Sequence, residues 1–196
     1  GLDFCGFGTS SFTLSNSTVT QNTNTDGYGG GINIDEVAPA RSNVNITNVT
    51  VTSNTSKYWG GGLNIFGDNT QVAITGSTFS SNTTLGTAGA GAQGGGMNIR
   101  VTNQNDLDGA PVPLVAMTTL TVANNVGIGF GGGIDVAGSG DQTITLTDSV
   151  ITDNVLNLAV GGVTNSTGGG LDHSNNASRT TTLTRVLIAN NQSNGG

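Results

Sequence analysis

Three consecutive glycines followed by an aliphatic residue and then Asn or Asp recur five times in this chain. The copies are Gly29-Gly30-Gly31-Ile32-Asn33, Gly60-Gly61-Gly62-Leu63-Asn64, Gly94-Gly95-Gly96-Met97-Asn98, Gly131-Gly132-Gly133-Ile134-Asp135 and Gly168-Gly169-Gly170-Leu171-Asp172. Their starts at 29, 60, 94, 131 and 168 set a period of 31 to 37 residues. A unit of that length cannot bury an apolar face alone, so its neighbours must stack on it to make a core.

A second pattern interlocks with the first. Six eight-residue segments align without gaps: Phe12–Val19, Val44–Val51, Val72–Phe79, Val115–Val122, Ile144–Ile151 and Thr181–Ile188. Their third and eighth positions are always apolar, the first is apolar except at Thr181, and the fourth is always Ser or Thr. Three residues past each segment stands an Asn: Asn22, Asn54, Asn82, Asn125, Asn154 and Asn191. Alternating apolar positions, many of them β-branched, describe half-buried strands. The abundance of Gly, Asn, Ser and Thr disfavours helix.

Each repeat therefore reads as a short strand after the glycines, a loop of variable length, and two strands separated by a bend. Three strands per repeat make one coil of a parallel β-helix. About six coils at the strand spacing of ~4.8 Å give a rod about 25–30 Å long. Right-handed winding is expected from the preference of parallel crossovers. The Asn column is expected to adopt the left-handed backbone of a sharp bend and to hydrogen-bond from coil to coil, as stacked amides do.

Composition narrows the function classes. Only 9% of residues are charged, the net charge is −7, and Lys57 is the one lysine. No basic stripe exists to neutralise phosphates, which argues against a nucleic-acid partner. No apolar run reaches membrane-spanning length, so this segment is not expected to insert in a membrane. The lone Cys5 has no partner for an intrachain disulfide. Residues 1–196 read as a single β-helix domain. Because Asn194-Gly195-Gly196 looks like the opening of another glycine motif, the chain is expected to be a piece of a longer solenoid.

The alternation of Gly61-Gly62-Leu63 with Phe79-Ser80-Ser81-Asn82 resembles the pectin-lyase-like right-handed parallel β-helix superfamily. In particular it resembles the GG-A-I and F-x-x-N repeats of polymorphic outer-membrane protein passengers and related autotransporter adhesins. Most copies here have Val or Ile where that motif has Phe. The resemblance implies an extracellular or surface-displayed structural or adhesive module. Its expected partners are a surface glycan or other copies of itself. The same superfamily also holds polysaccharide lyases and hydrolases, and regular Thr ranks on such a solenoid resemble ice-binding faces; both are alternatives.

Several residues are candidates for a site. If the residue after the glycines points inward, the next points outward, which places Asn33, Asn64, Asn98, Asp135 and Asp172 in one outward column. Asp135 and Asp172 would lie about one strand spacing apart, close enough to bind calcium or share a proton. With Arg100 they are the catalytic candidates if the chain is an enzyme; otherwise the column is a solvated polar ladder. Tyr28 and Trp59, with Lys57 nearby, are candidates for stacking on a sugar ring, or for packing on each other. Asn33, Asn64 and Asn98 would supply polar contacts to the same ligand. No cofactor is called for. Calcium is a possible metal through Asp106 and Asp108, because the loop Asn103–Gly109 carries oxygen ligands on alternate residues. The Thr ranks start at Thr18, Thr50, Thr78 and Thr121 and are broken by Val150 and Leu187. His173 falls on the inward phase of its strand.

Overall fold

The computed structural model describes residues 1–7, 9–37, 42–86, 93–103, 114–157, 168–175 and 178–194. Among these the chain is all β, arranged as four six-stranded sheets in which every paired neighbour is parallel. Sheet 1 holds the strands that follow the glycines: Leu2–Phe7, Ile32–Val37, Leu63–Asp68, Met97–Thr102, Ile134–Gly138 and Leu171–Asn175. Sheet 2 and sheet 3 split the eight-residue template; in the second coil they are Asn43–Thr47 and Thr50–Thr52. Strand partners in each sheet come from successive repeats, in sequence order. The fold is therefore a parallel β-helix of six coils.

Each coil has four strands rather than the expected three. The fourth is a two- or three-residue strand after the Asn column, as at Thr55–Ser56 and Val155–Asn157. It is too short to show an alternation in the sequence, which is why the pattern did not disclose it.

Burial follows the alternation. Val44, Ile46 and Val51 have no exposed surface, and neither do Ile74, Phe79, Val115, Met117, Val122, Ile144, Leu146 and Ile151 at equivalent positions. Sheet 1 contributes Ile32 and Ile34, Leu63 and Ile65, Met97 and Ile99, and Ile134 and Val136, also fully buried. Removing one such side chain from water stabilises by about 1.5–3 kcal/mol. The register stacks like on like: Val72 faces Val44 and Val115, and Ile74 faces Ile46 and Met117. In the sixth coil, Leu183 and Ile188 occupy the same columns but are 47% and 45% exposed.

The bends carry the backbone strain. Between sheets 2 and 3 stand Asn16, Asn48, Gly76, Thr119, Asp148 and Arg185; between sheets 3 and 4 stand Gln21, Ser53, Ser81, Asn124, Asp153 and Asn190. All twelve have φ between 49° and 60°. The left-handed residue at the second bend is thus the one before the Asn column. This corrects the expected conformational role of Asn22, Asn54, Asn82, Asn125, Asn154 and Asn191.

Those asparagines instead form a buried ladder. The backbone N–H and Nδ2 of Asn54 both donate to Asn82 Oδ1, at 3.0 and 3.1 Å. Asn82 does the same to Asn125 Oδ1, at 2.9 and 3.1 Å, and donates its other amide hydrogen to the Val51 carbonyl of the preceding coil at 3.0 Å. The pattern continues through Asn125 and Asn154 to Asn191. All the polar capacity of a fully buried amide is used, as burial requires.

The glycine triplet locks onto this ladder. Gly60 has φ of 62°, which a side chain disfavours. A Cβ on Gly61 would meet the Gly95 carbonyl and the Thr83 backbone, and one on Gly62 would come within 2.9 Å of Asn82 Cγ. Each coil's glycines thus fit against the next coil's backbone and Asn.

Candidate functional site on sheet 1

Sheet 1 presents its outer face through the second residue after each triplet. The register pairs Asp3 with Asn33, Asn33 with Asn64, Asn64 with Asn98, Asn98 with Asp135 and Asp135 with Asp172. The predicted column exists and is one rung longer than predicted. Leu2-Asp3-Phe4 repeats the aliphatic-polar-apolar order of Ile32-Asn33-Ile34, but no glycine triplet precedes it to draw attention.

The column points away from the core, yet most of it is not solvated. Asn64, Asn98, Asp135 and Asp172 are 2%, 0%, 0% and 8% exposed. This overturns the expectation of a solvated polar ladder. The amides hydrogen-bond along the column: Asn33 Nδ2 donates to Asp3 Oδ1 at 2.8 Å, Asn64 Nδ2 to Asn33 Oδ1 at 2.9 Å, and Asn98 Nδ2 to Asn64 Oδ1 at 2.7 Å. At Asp135 the sequence of donors ends. Asn98 Oδ1 and both carboxyl oxygens of Asp135 are buried without a hydrogen-bond donor. Burial, and then the neighbouring Asp172 charge, hold the Asp135 carboxyl well above the usual carboxylate range, with Arg100 acting weakly the other way.

Arg100 lies one coil before Asp135 and two residues along its strand, in register with Phe66. Its guanidinium stands 5.4 Å from the Trp59 ring centroid and 5.9 Å from that of Phe66. The three catalytic candidates therefore share one face. Asp135, however, has no surface for a substrate to touch, and Arg100 is held over two aromatic rings.

Tyr28 and Trp59, each just before a glycine triplet, form a ledge at the start of sheet 1, and Gln93 and Phe130 hold the same place in the next two coils. The backbone register there is regular: Gly29 N–H donates to the Trp59 carbonyl at 2.8 Å, Gly60 N–H to that of Gln93 at 2.9 Å, and Gly94 N–H to that of Phe130 at 2.9 Å. Tyr28 stacks on Trp59 with centroids 4.7 Å apart and also meets Tyr58 at 5.6 Å. Tyr28 remains 41% exposed and Phe66 36%. A cavity of ≈410 Å³ opens beside Tyr28, and Asp3, Asn24 and Asn33 contribute polar groups to its wall. Lys57 lies 5.1 Å from the Tyr58 centroid and pairs with Asp26 at 2.8 Å. Phe66 and Asp26 were not singled out by the sequence, because no column of like residues marks them.

The remaining candidates separate. Asp106 and Asp108 lie outside the described residues. Among the described residues, no three His, Cys, Asp or Glu side chains gather into a metal-binding group. Thr18, Thr50, Thr78 and Thr121 stand in register on sheet 3, and Val150 and Leu187 continue the rank. His173 pairs with the core position Val136, and its Nδ1 lies 2.7 Å from Thr181 Oγ1.

These features define the class of the molecule as a parallel β-solenoid. No family model matches the chain, and neither a curated protein nor a solved structure matches it.

Proposed function

We propose that this chain is an extracellular structural or adhesive β-helix module that binds a surface glycan at the Tyr28–Trp59 ledge. The observation that supports this reading is a stacked ring pair whose outer member is exposed beside a cavity with polar walls. Aromatic faces cover the apolar side of a sugar ring, while amides and carboxylates hydrogen-bond its hydroxyls. Asn24, Asn33 and Asp3 stand at that wall. Trp59 supports Tyr28 from behind, and Lys57 and Arg100 add positive charge to an otherwise acidic chain.

A glycan array tests this directly. The wild-type chain should retain a defined set of sugars, and Tyr28→Ala should lose about 10-fold or more in affinity, in keeping with a buried aromatic contact. Because Tyr28 is exposed, its loss should leave the melting temperature nearly unchanged. Equal binding by Tyr28→Ala, or no retention by the wild type, would refute the reading. A polysaccharide-cleaving role for Asp135, Asp172 and Arg100 would require substrate contact at Asp135, which has no accessible surface. An ice-binding role for the Thr ranks would need the flat rank to continue past Thr121, where Val150 and Leu187 stand.

A further inference from the structure

The outer ladder of sheet 1 contains a chemical mismatch. Each amide donates toward the first coil and accepts from the next, so Asn98 Oδ1 needs a donor from the fifth coil. Asp135 stands there, and an ionised carboxylate has none to give. Turning every amide round would satisfy Asn98 and shift one oxygen–oxygen meeting to Asp3 and Asn33, at the more exposed end. It would leave Asp135 facing Asp172, in register on the adjacent strand. In either sense of the amides, the buried Asp135–Asp172 rung brings carboxyl oxygens together without a hydrogen between them.

We infer that the Asp135–Asp172 rung is a proton-binding site, and that the bound proton completes the ladder across the fourth, fifth and sixth coils. In the amide sense of the structure, the proton sits on Asp135 and is donated to Asn98 Oδ1. One proton is taken from solvent and no covalent bond other than O–H is made. The groups facing Asp135 are Asn98 and Arg100 on the preceding strand and Asp172 on the following one, while His173 stands beside the core position Val136 on the other face. Arg100 favours the charged form only weakly beside the burial and the second carboxyl. A calcium ion seeks six to eight oxygen ligands. Asn98, Asp135 and Asp172 offer at most five side-chain oxygens, and one of these, Asn98 Oδ1, belongs to an amide already engaged in the ladder.

The consequence has a definite sign. Burial makes the folded chain hold this proton more tightly than the unfolded chain does. Between the ordinary Asp value of 3.8 and the higher folded one, the unfolded chain binds fewer protons, so stability falls as pH rises. This contribution is fully present below that ordinary value and is lost through the window above it.

Thermal unfolding followed from about pH 4 to about pH 8 tests the site, since this range spans the start of the window. Asp135→Asn supplies an amide where the proton sits. It should melt several degrees above the wild type at neutral pH, converge with it in acid, and show a flatter profile. Asp172→Asn should flatten the profile in the same way. Profiles parallel to the wild type in both variants would overturn the assignment. The wild-type chain should also show the infrared carbonyl band of a protonated carboxylic acid at neutral pH, and its absence there would likewise overturn it. A rise in wild-type melting temperature on adding calcium chloride, reversed by chelator and missing in Asp135→Asn, would reassign the rung to a cation. No response to calcium would support the proton.

Discussion

Two ladders of side-chain amides run the length of this molecule, and they end differently. The inner one, at the bend between sheets 3 and 4, is Asn in all six coils, and each buried member has its donors and acceptors used. The outer one, on sheet 1, begins with Asp3, passes through three asparagines and finishes with Asp135 and Asp172. An amide carries both a donor and an acceptor, so it can repeat indefinitely along a stack. A carboxylate carries only acceptors, so a second one next to it needs a proton from elsewhere. The uniform column holds the coils together at every pH, whereas the mixed column makes one junction depend on it.

Breaking the inner ladder should have the largest effect. Asn82→Ala removes the acceptor for Asn54 N–H and Nδ2 and the donor to the Val51 carbonyl. Each buried group left unsatisfied costs about 1–3 kcal/mol, so a loss of about 3–5 kcal/mol is expected in a denaturant titration. A loss under about 1 kcal/mol would show that the ladder is replaceable by water.

The next test extends the acidic end of the outer ladder. Asn98→Asp would put three carboxyls in consecutive buried rungs and take the amide donor from Asn64 Oδ1. A loss of about 2–3 kcal/mol at neutral pH is expected from the unsatisfied groups, with much of it recovered in acid because the new carboxyl must also hold a proton. A pH-independent loss would mean that only the amide bond matters. Asn33→Ala, at the half-buried end of the same column, should cost only about 0.5–1.5 kcal/mol, since water can replace the lost partner. The smallest effect is expected at the surface. Asp26→Asn breaks the ion pair with Lys57, which holds the Asp26 carboxyl below its usual range, but Asp26 is largely exposed and water can replace its side of the pair. The melting temperature should not move measurably.

The contrast also explains what was legible beforehand. Alternating apolar residues and the Asn column give the coil, its stacking and its period, because core positions and fully used amides leave few substitutes. Val44, Ile46 and Val51 announce strands wherever they occur, and Asn82 announces the ladder by its spacing. The two-residue strands of sheet 4 have no room for a pattern. The burial of Asn64, Asn98 and Asp135 was equally hidden. Their outward phase is correct, but exposure depends on what lies over the sheet, which the alternation along one strand does not encode. A periodic rule reports direction from the core, and direction alone does not decide contact with water.

The spacing within sheets 2, 3 and 4 has a further consequence. In all six coils two residues separate sheet 2 from sheet 3, and two separate sheet 3 from sheet 4. Elsewhere the connection lengths change from coil to coil: strands in sheets 1 and 2 are joined by two residues after Asp68 but by eleven after Thr102. A single inserted residue in the constant half would turn every following side chain to the other face and pull the Asn out of its ladder. The coil therefore divides heritable change into two kinds. One half of each turn can vary only by substitution, while the corners flanking sheet 1 can lengthen, shorten or accept foreign sequence without disturbing the stack.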